Sequence, residues 1–341
     1  MKRIEVKGEN STSAILVGES ILNLKDYIPA KNVFIITDAN VHRLYKTHFP
    51  KFPVFIMEPG EEHKKLATAE AIYIWLLQES ADRSCVIVGI GGGVVCDMAG
   101  FVASTYMRGV KFGFVSSTLL SQVDASVGGK NGLDLDGYKN IIGTFNQPEF
   151  VICDTSMLAT LPVTELRCGL AEVMKHTLIS SKAMFEMLEE NYNKVLSLDK
   201  EIVNMFVEHS VVTKADIVSK DEREQGDRRK LNLGHTWGHA IERITGIPHG
   251  EAVSIGLAFT AWLSEKRGLL GIVERERIIY LLNQLGLPTS SDVSREAAMD
   301  SLLHDKKRDG CKLHFVLMEG IGKVRVEAIS VDDLKRCILD A

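Results

Sequence analysis

The sequence predicts an α/β domain built on a parallel sheet over residues 1–155, followed by a mainly α-helical domain over residues 156–341. Three observations carry that expectation. In the first part, short β-rich runs alternate with helical periodicity. Most of those runs begin about 20 to 30 residues apart, the spacing that a βαβ crossover needs. Beyond residue 155 the strand signal nearly vanishes and long helical patterns succeed one another.

In order, strands are expected at 14–17, 33–37, 54–57, 84–88, 111–115 and 150–153, with helices between them at 64–78 and 94–106. Further helices are expected at 163–180, 182–192, 200–218, 232–244, 251–266 and 274–285. Gly268 and Gly286 follow apolar periodicity as helix stops, and Pro288 reinforces the second. Residues 219–230 hold nine charges in twelve positions, so their default reading is a solvated loop. A late β-like run at 313–318 has no obvious partner.

Composition excludes several classes. The chain has 341 residues, of which 45% are apolar and 25% charged, which argues against disorder and fibrous repeats. A net charge of -5 removes any chain-wide basic field for nucleic acid. The most apolar stretch, 86–105, contains Asp97 and Gly91-Gly92-Gly93, so it reads as strand, glycine turn and buried helix and not as a membrane span. The opening MKRIEVKGENSTSAILVG has no apolar signal core, and the six cysteines are scattered without a C-x-x-C pair. Reduced thiols in a cytoplasmic protein are the expectation.

Gly89-Ile90-Gly91-Gly92-Gly93 lies between a strand and a helix, where backbone N–H groups can approach a phosphate. Val94 stands where the third glycine of a dinucleotide fingerprint belongs, and no Gly-Lys-Ser/Thr follows, so neither that fingerprint nor a P-loop is present. The plain alternative is a tight packing turn. A second anion candidate is the connection Ser126-Val127-Gly128-Gly129-Lys130-Asn131-Gly132, flanked by Asp124 and by Lys139-Asn140. An exposed loop explains it equally well.

A metal site is the sharper signal. Glu172 shares a helical face with Lys175 and His176, three and four residues on. His235 and His239 stand at i and i+4, and His249 follows Pro248 at the expected start of a helix. Any three of Glu172, His235, His239 and His249, with water, would make an open catalytic zinc site. Thr236 occupies the place of the general-base glutamate in H-E-x-x-H, which makes a zincin protease a poor reading. Lys214 continues the apolar stripe of Val203, Val207 and Val211, and Arg228 lies seven residues before His235. Snorkelling explains a lysine on such a stripe. A cation cluster about a metal points instead to a small, acidic, phosphorylated substrate.

The motifs GGGVVCDMAGF (91–101), TYMRGV (105–110), STLLSQVDASVGGKNG (117–132), KNIIGTFNQP (139–148), GLAEVMKH (169–176), LNLGHTWGHAIE (231–242) and HGEAVSIG (249–256) are collinear and specific. Through them the chain resembles the 3-dehydroquinate synthases of the sugar phosphate cyclase group, with weaker similarity over nearly its whole length. The resemblance implies an NAD-binding α/β domain, a helical domain carrying zinc or cobalt, and an active site in the cleft between them. It implies Glu172, His235 and His249 as metal ligands and leaves His239 facing the substrate phosphate. NAD would touch Asp38, Glu61, Lys64, Gly92, Gly93, Asp97, Ser117, Thr118 and Lys139. Asp124, Lys130, Asn140, Lys175, Lys214, Arg228, Asn232 and His239 would line the substrate, together with one of Lys306 and Lys307. Arg108 would meet the phosphate, from its own subunit or from the other one of a homodimer. Cys96 and Ser116 depart from the glycine and proline common in the family; both are small, and local adjustment is expected.

The implied reaction converts 3-deoxy-arabino-heptulosonate 7-phosphate to 3-dehydroquinate and phosphate, within aromatic amino acid biosynthesis by the shikimate pathway. Transient oxidation by NAD, phosphate elimination, re-reduction and aldol closure leave no net redox change. Another sugar phosphate cyclase, a metal-dependent NAD polyol dehydrogenase and a non-catalytic nucleotide sensor are the alternatives.

Overall fold

The computed structural model describes residues 1–9, 11–28, 32–306 and 312–339, which form two compact units. The first comprises Met1–Leu161 and Lys214–Arg223, the second Pro162–Thr213 and Glu224–Ala341. No described helix is long and apolar enough to cross a membrane.

The first unit contains β1 (Lys2–Lys7), β2 (Thr12–Val17), β3 (Val33–Asp38), α1 (Ala39–Tyr45), β4 (Val54–Met57), α2 (Leu66–Gln78), β5 (Val86–Gly91), α3 (Gly93–Thr105), β6 (Lys111–Ser116), β7 (Lys130–Leu135), β8 (Tyr138–Phe145) and β9 (Phe150–Cys153). Seven strands form one sheet in the order β1-β2-β9-β6-β5-β3-β4. Every neighbouring pair is parallel except β1 with β2. All six residues of β5 are buried, as a strand covered on both faces requires, which is why its sequence is a continuous apolar run and not an alternation. From β3 the chain steps outward to β4, then crosses back to β5 and on to β6. The order therefore reverses between β3 and β5, and the crevice beyond their carboxyl ends is where such sheets take ligands.

The six expected strands are all present in this sheet. The polar connection around Lys130 and Lys139-Asn140 is not a loop. It is the antiparallel hairpin β7–β8, in which Lys130 pairs with Phe145. Its open end, opposite the turn, is held by Asn131, whose amide group donates to the Gly129 and Asn146 carbonyls at 3.0 and 2.9 Å.

The second unit is mainly helical: α4 (Val163–Ser180), α5 (Lys182–Leu196), α6 (Lys200–Lys220), α7 (His235–Thr245), α8 (His249–Lys266), α9 (Ile272–Gln284), α10 (Arg295–Lys306) and α11 (Val331–Leu339). The isolated β-like run becomes β10 (Lys312–Gly320), antiparallel to β11 (Lys323–Ser330). Its apolar face joins Trp237, Ile241, Leu263, Leu302, Leu334 and Ile338 in one core. Gly268 and Gly286 end α8 and α9 with φ of 70° each. Helices α7 and α8 cross at glycines: a Cβ on Gly238 would stand 2.6 Å from the Ala252 carbonyl oxygen. Lys214–Arg223, the last turns of α6 and the three residues after it, belong to the first unit. There Ser219 Oγ accepts from the Lys7 backbone at 3.2 Å and Glu222 accepts from Glu9 N and Gln147 Nε2 at 2.8 Å each.

Candidate active site

In the second unit, Glu172 lies mid-way along α4 and is completely buried. His235 is the first residue of α7, preceded by Gly234 with φ 79°, a left-handed turn that a residue with a Cβ would strain. His249 opens α8 behind Pro248, a residue suited to the start of a helix. These three elements bring His235 Nε2 to 3.4 Å and His249 Nε2 to 3.6 Å from Glu172 Oε1, while Lys175 Nζ lies 2.5 Å from Glu172 Oε2. His235 Nδ1 is 3.1 Å from the Leu233 carbonyl, and His249 Nδ1 is 3.1 Å from Glu242 Oε2.

The donor set suits a divalent cation of the zinc or cobalt kind. Neither Glu172 oxygen has a well-aligned hydrogen-bond donor despite full burial, and two imidazole nitrogens face the same oxygen. Burial pushes the Glu172 carboxyl up, but Lys175 and His235 outweigh it and hold it well below the usual carboxylate range. Burial pushes the His249 imidazole down, and the Glu172 and Glu242 carboxylates outweigh that in turn, raising it to about 9. His235, His239 and His249 also present ring nitrogens within 4.8 Å of one another. The i, i+4 pairing of His235 with His239 is thus geometrically available, and His239 is the more exposed of the two.

Arg228 corrects the expectation of a solvated loop over 219–230. It sits in a 3-10 turn, Asp227–Asn232, and is 2% exposed. Lys175 is 1% exposed, so two buried cations belong to this unit. Asn232 Nδ2 donates to Glu224 at 2.5 Å. Lys306 ends α10, and Lys307 lies outside the described residues.

The first unit gathers most of the residues expected to touch a nucleotide at the carboxyl ends of its central strands. Asp38 ends β3 and caps α1 through Val41 N at 2.9 Å; burial raises its carboxyl above the usual value. Gly92 is the N-cap of α3, with no capping side chain, and Gly93 follows. A Cβ on Gly92 would meet the Thr118 methyl at 3.0 Å, and one on Gly93 would meet Ala125 at 3.2 Å. Ser117 N donates to the Gly91 carbonyl at 2.9 Å, while the buried Ser117 hydroxyl has no partner among the described residues. Bare backbone at a helix start, an unsatisfied buried hydroxyl and an acidic residue at the switch point suit a dinucleotide, although the glycine fingerprint is absent.

Lys64 ties this end of the sheet to the hairpin. Its ammonium lies 2.5 Å from Asp97, 2.5 Å from the Asn140 side-chain oxygen and 3.7 Å from Glu61. Burial works against both charges of the pair. Lys64 has Asp97, Glu61 and Asp134 to set against it and stays above its ordinary value, whereas Asp97, with Glu61 opposing it and Lys64 for it, rises to about 6. Asn140 has φ 54°, a strained position fixed by its N–H donating to Asp134 at 2.7 Å. Lys214 pairs with the Asp124 carboxylate and donates to its carbonyl at 2.8 Å, so the snorkelling alternative does not hold. Lys130 and Lys139 are exposed on β7 and β8. Arg108 is exposed in a turn where Met107, Arg108 and Gly109 all have positive φ, at 49°, 72° and 111°.

Two contributors went unread in the sequence. Glu242 falls inside a quoted motif, seven residues before His249, yet spacing gave it no role. Asp134 holds Asn140 only because the hairpin folds back.

Family models for the N-terminal and C-terminal parts of 3-dehydroquinate synthase match residues 54–168 and 169–308. The chain is 40% identical to the 3-dehydroquinate synthase of Nitrosospira multiformis, over 96% of this chain and 95% of that one. It is also 40% identical to the one of Pseudomonas aeruginosa strain UCBPP-PA14, over 100% and 96%. Among solved structures, a 2-deoxy-scyllo-inosose synthase complexed with carbaglucose-6-phosphate, NAD+ and Co2+ superposes with a TM-score of 0.87 at 26% identity, covering 100% of both chains. The 2-epi-5-epi-valiolone synthase of Streptomyces hygroscopicus, with NAD+ and Zn2+ bound, gives 0.88 at 26%, covering 99% of both. A probable glycerol dehydrogenase from Sinorhizobium meliloti, at 16% identity, TM-score 0.67 and 96% and 95% coverage, shares the fold alone. Matched in both halves and at 40% identity to full-length relatives, this chain belongs to the 3-dehydroquinate synthase family.

Proposed function

We infer that this chain catalyses the 3-dehydroquinate synthase reaction, as an NAD- and metal-dependent, phosphate-eliminating cyclase acting on 3-deoxy-arabino-heptulosonate 7-phosphate. The observation that carries the reading is the buried Glu172 carboxylate facing Nε2 of both His235 and His249 with Lys175 beside it, in a chain of this family. Glu172, His235 and His249 would hold zinc or cobalt, the ions that accompany NAD+ in the two cyclases above. Asp38, Glu61, Lys64, Gly92, Gly93, Asp97, Ser117, Thr118 and Lys139 would hold NAD. When bound, these two groups supply reversible removal of hydride from C5 of the substrate and stabilisation of the oxygen that carries it.

With C5 at the ketone level, the hydrogen on C6 becomes acidic and phosphate can leave by elimination. The substrate's own phosphate dianion can take that proton, which explains why no side chain of the site stands out as the base. Lys175, Asn232, His239 and Arg108 would bind the phosphate and stabilise it as it leaves. Lys130, Lys214 and Arg228 would bind the carboxylate, with Asp124 orienting Lys214 and Asn140 ordered by Asp134. Anchoring both ends fixes the reacting carbon and lowers the entropy lost on reaching the transition state. A cytoplasmic homodimer is part of the same reading.

Incubation of the purified protein with the heptulosonate phosphate, catalytic NAD and zinc tests it. Phosphate should appear without accumulation of reduced nicotinamide. Reduced cofactor formed one for one with product would favour the polyol dehydrogenase, and turnover of another sugar phosphate alone would favour a sibling cyclase.

A further inference from the structure

We infer that Glu242 is a positioning residue for the metal centre: with the Leu233 carbonyl as its counterpart on His235, it holds Nδ1 of His249 and turns both Nε2 atoms toward Glu172. The inference rests on Glu172, His235 and His249 being the ligands, and it assigns a task to a residue that does not itself touch the ion.

A neutral imidazole has one N–H and one lone pair, and hydrogen bonding decides which nitrogen carries which. A backbone carbonyl can only accept, so His235 Nδ1, 3.1 Å from Leu233 O, is the donor there. The lone pair is then on Nε2, the atom 3.4 Å from Glu172 Oε1. On His249 the carboxylate of Glu242 lies 3.1 Å from Nδ1 and can only accept, so the Nδ1 proton is the one retained when a cation displaces the proton on Nε2, which stands 3.6 Å from Glu172 Oε1. A carboxylate behind a ligating histidine fixes its ring and makes it a better donor to the ion.

The location of Glu242 supports a functional and not a merely structural role. It is 8% exposed and sits in the last turn of α7, where its carbonyl accepts from Gly246 N at 2.8 Å. An anion at that end of a helix opposes the macrodipole, and burying it adds a desolvation cost. Helix stability alone would favour a cation or a neutral side chain there. An imidazole N–H pointed at this oxygen, with a dication beyond the ring, offsets both costs.

The test uses protein stripped of metal and zinc ion alone, titrated against a chromophoric chelator. Glu242→Gln and Glu242→Ala should bind zinc about 10- to 100-fold more weakly, and Glu242→Asp should recover part of the loss. NAD affinity should stay at the wild-type value, and the metal-free protein should still unfold in one cooperative transition. In zinc-loaded, histidine-labelled protein, the Nδ1 proton of His249 should exchange slowly in wild type and rapidly in Glu242→Ala. Zinc affinity within twofold of wild type in both substitutions, while His249→Ala loses zinc, would overturn the positioning role and leave the ligand set standing. Wild-type zinc affinity in His249→Ala would instead overturn the ligand set, and this inference with it. Should Glu242→Ala fail to fold, the isosteric Glu242→Gln carries the test; loss of the metal-free fold in both would make Glu242 structural and the inference wrong.

Discussion

Lys175 Nζ lies 2.5 Å from the Glu172 carboxylate, three residues away on the same face of α4, with both side chains sealed from solvent. Removing one partner of such a pair leaves a buried charge uncompensated. Lys175→Met is therefore expected to destabilise the metal-free protein by about 3–5 kcal/mol. In saturating zinc the cost should shrink, because a dication then faces the same carboxylate. Thermal melts of both proteins with and without zinc measure the difference, and an equal cost in the two conditions would mean that no cation reaches Glu172.

Arg228 and Lys220 belong to one charged run but differ in burial: Arg228 is 2% exposed, and Lys220 ends α6 in solvent. Arg228→Ala should lower kcat/KM by about 10² or more, the scale for a positioned charge stabiliser. Lys220→Ala should leave it near wild type. Steady-state kinetics on the pair decide whether the buried guanidinium acts on substrate, and zinc content unchanged in both would exclude an indirect effect through the metal.

Asp97, raised to about 6 from an ordinary 3.8, gives the first unit a pH signature. The folded state holds this proton more tightly than the unfolded chain, so the contribution to stability is full below pH 3.8 and is lost as pH rises through 6. Asp97→Asn cannot lose a proton there. Relative to wild type, its unfolding free energy should improve between about pH 4 and pH 6 and level off above pH 7. Denaturant melts across that range check it; a difference that does not vary with pH would show Asp97 to be ionised throughout, held by Lys64.

Gly256 on α8 lies against the backbone before the metal site: a Cβ there would run into the Gly234 carbonyl and stand 2.9 Å from Gly238 N. The obstacle is backbone, which cannot swing aside as a side chain can. Gly256→Ala should destabilise the protein by about 1–3 kcal/mol and weaken zinc binding, because Gly234 sets the entry of His235. Loss of stability with zinc affinity unchanged would uncouple the helix crossing from the site.

Much of this protein is written locally. Runs such as 33–37 and 84–88 announced parallel strands because both faces of the sheet are covered and nearly every residue of the strand is apolar. The stops at Gly268 and Gly286 were readable because their left-handed φ suits glycine. Local spacing also placed Glu172 beside Lys175, since three residues make nearly one helical turn. Other features depend on partners outside the run itself, some of them adjacent in the chain and some distant. The run at 313–318 could not be assigned until 323–330 folded back on it, and β1 could not be recognised without β2. Arg228 looked solvated because nine charges in twelve residues mask the one that is buried. The choice among four candidate ligands lay beyond spacing, because a helix offers His235 and His239 to one ion as readily as a fold offers His235 and His249. Only the packing of α4, α7 and α8 brings both Nε2 atoms to the Glu172 carboxylate, and only the Leu233 carbonyl and Glu242, on the far side of the rings, determine which nitrogen faces it.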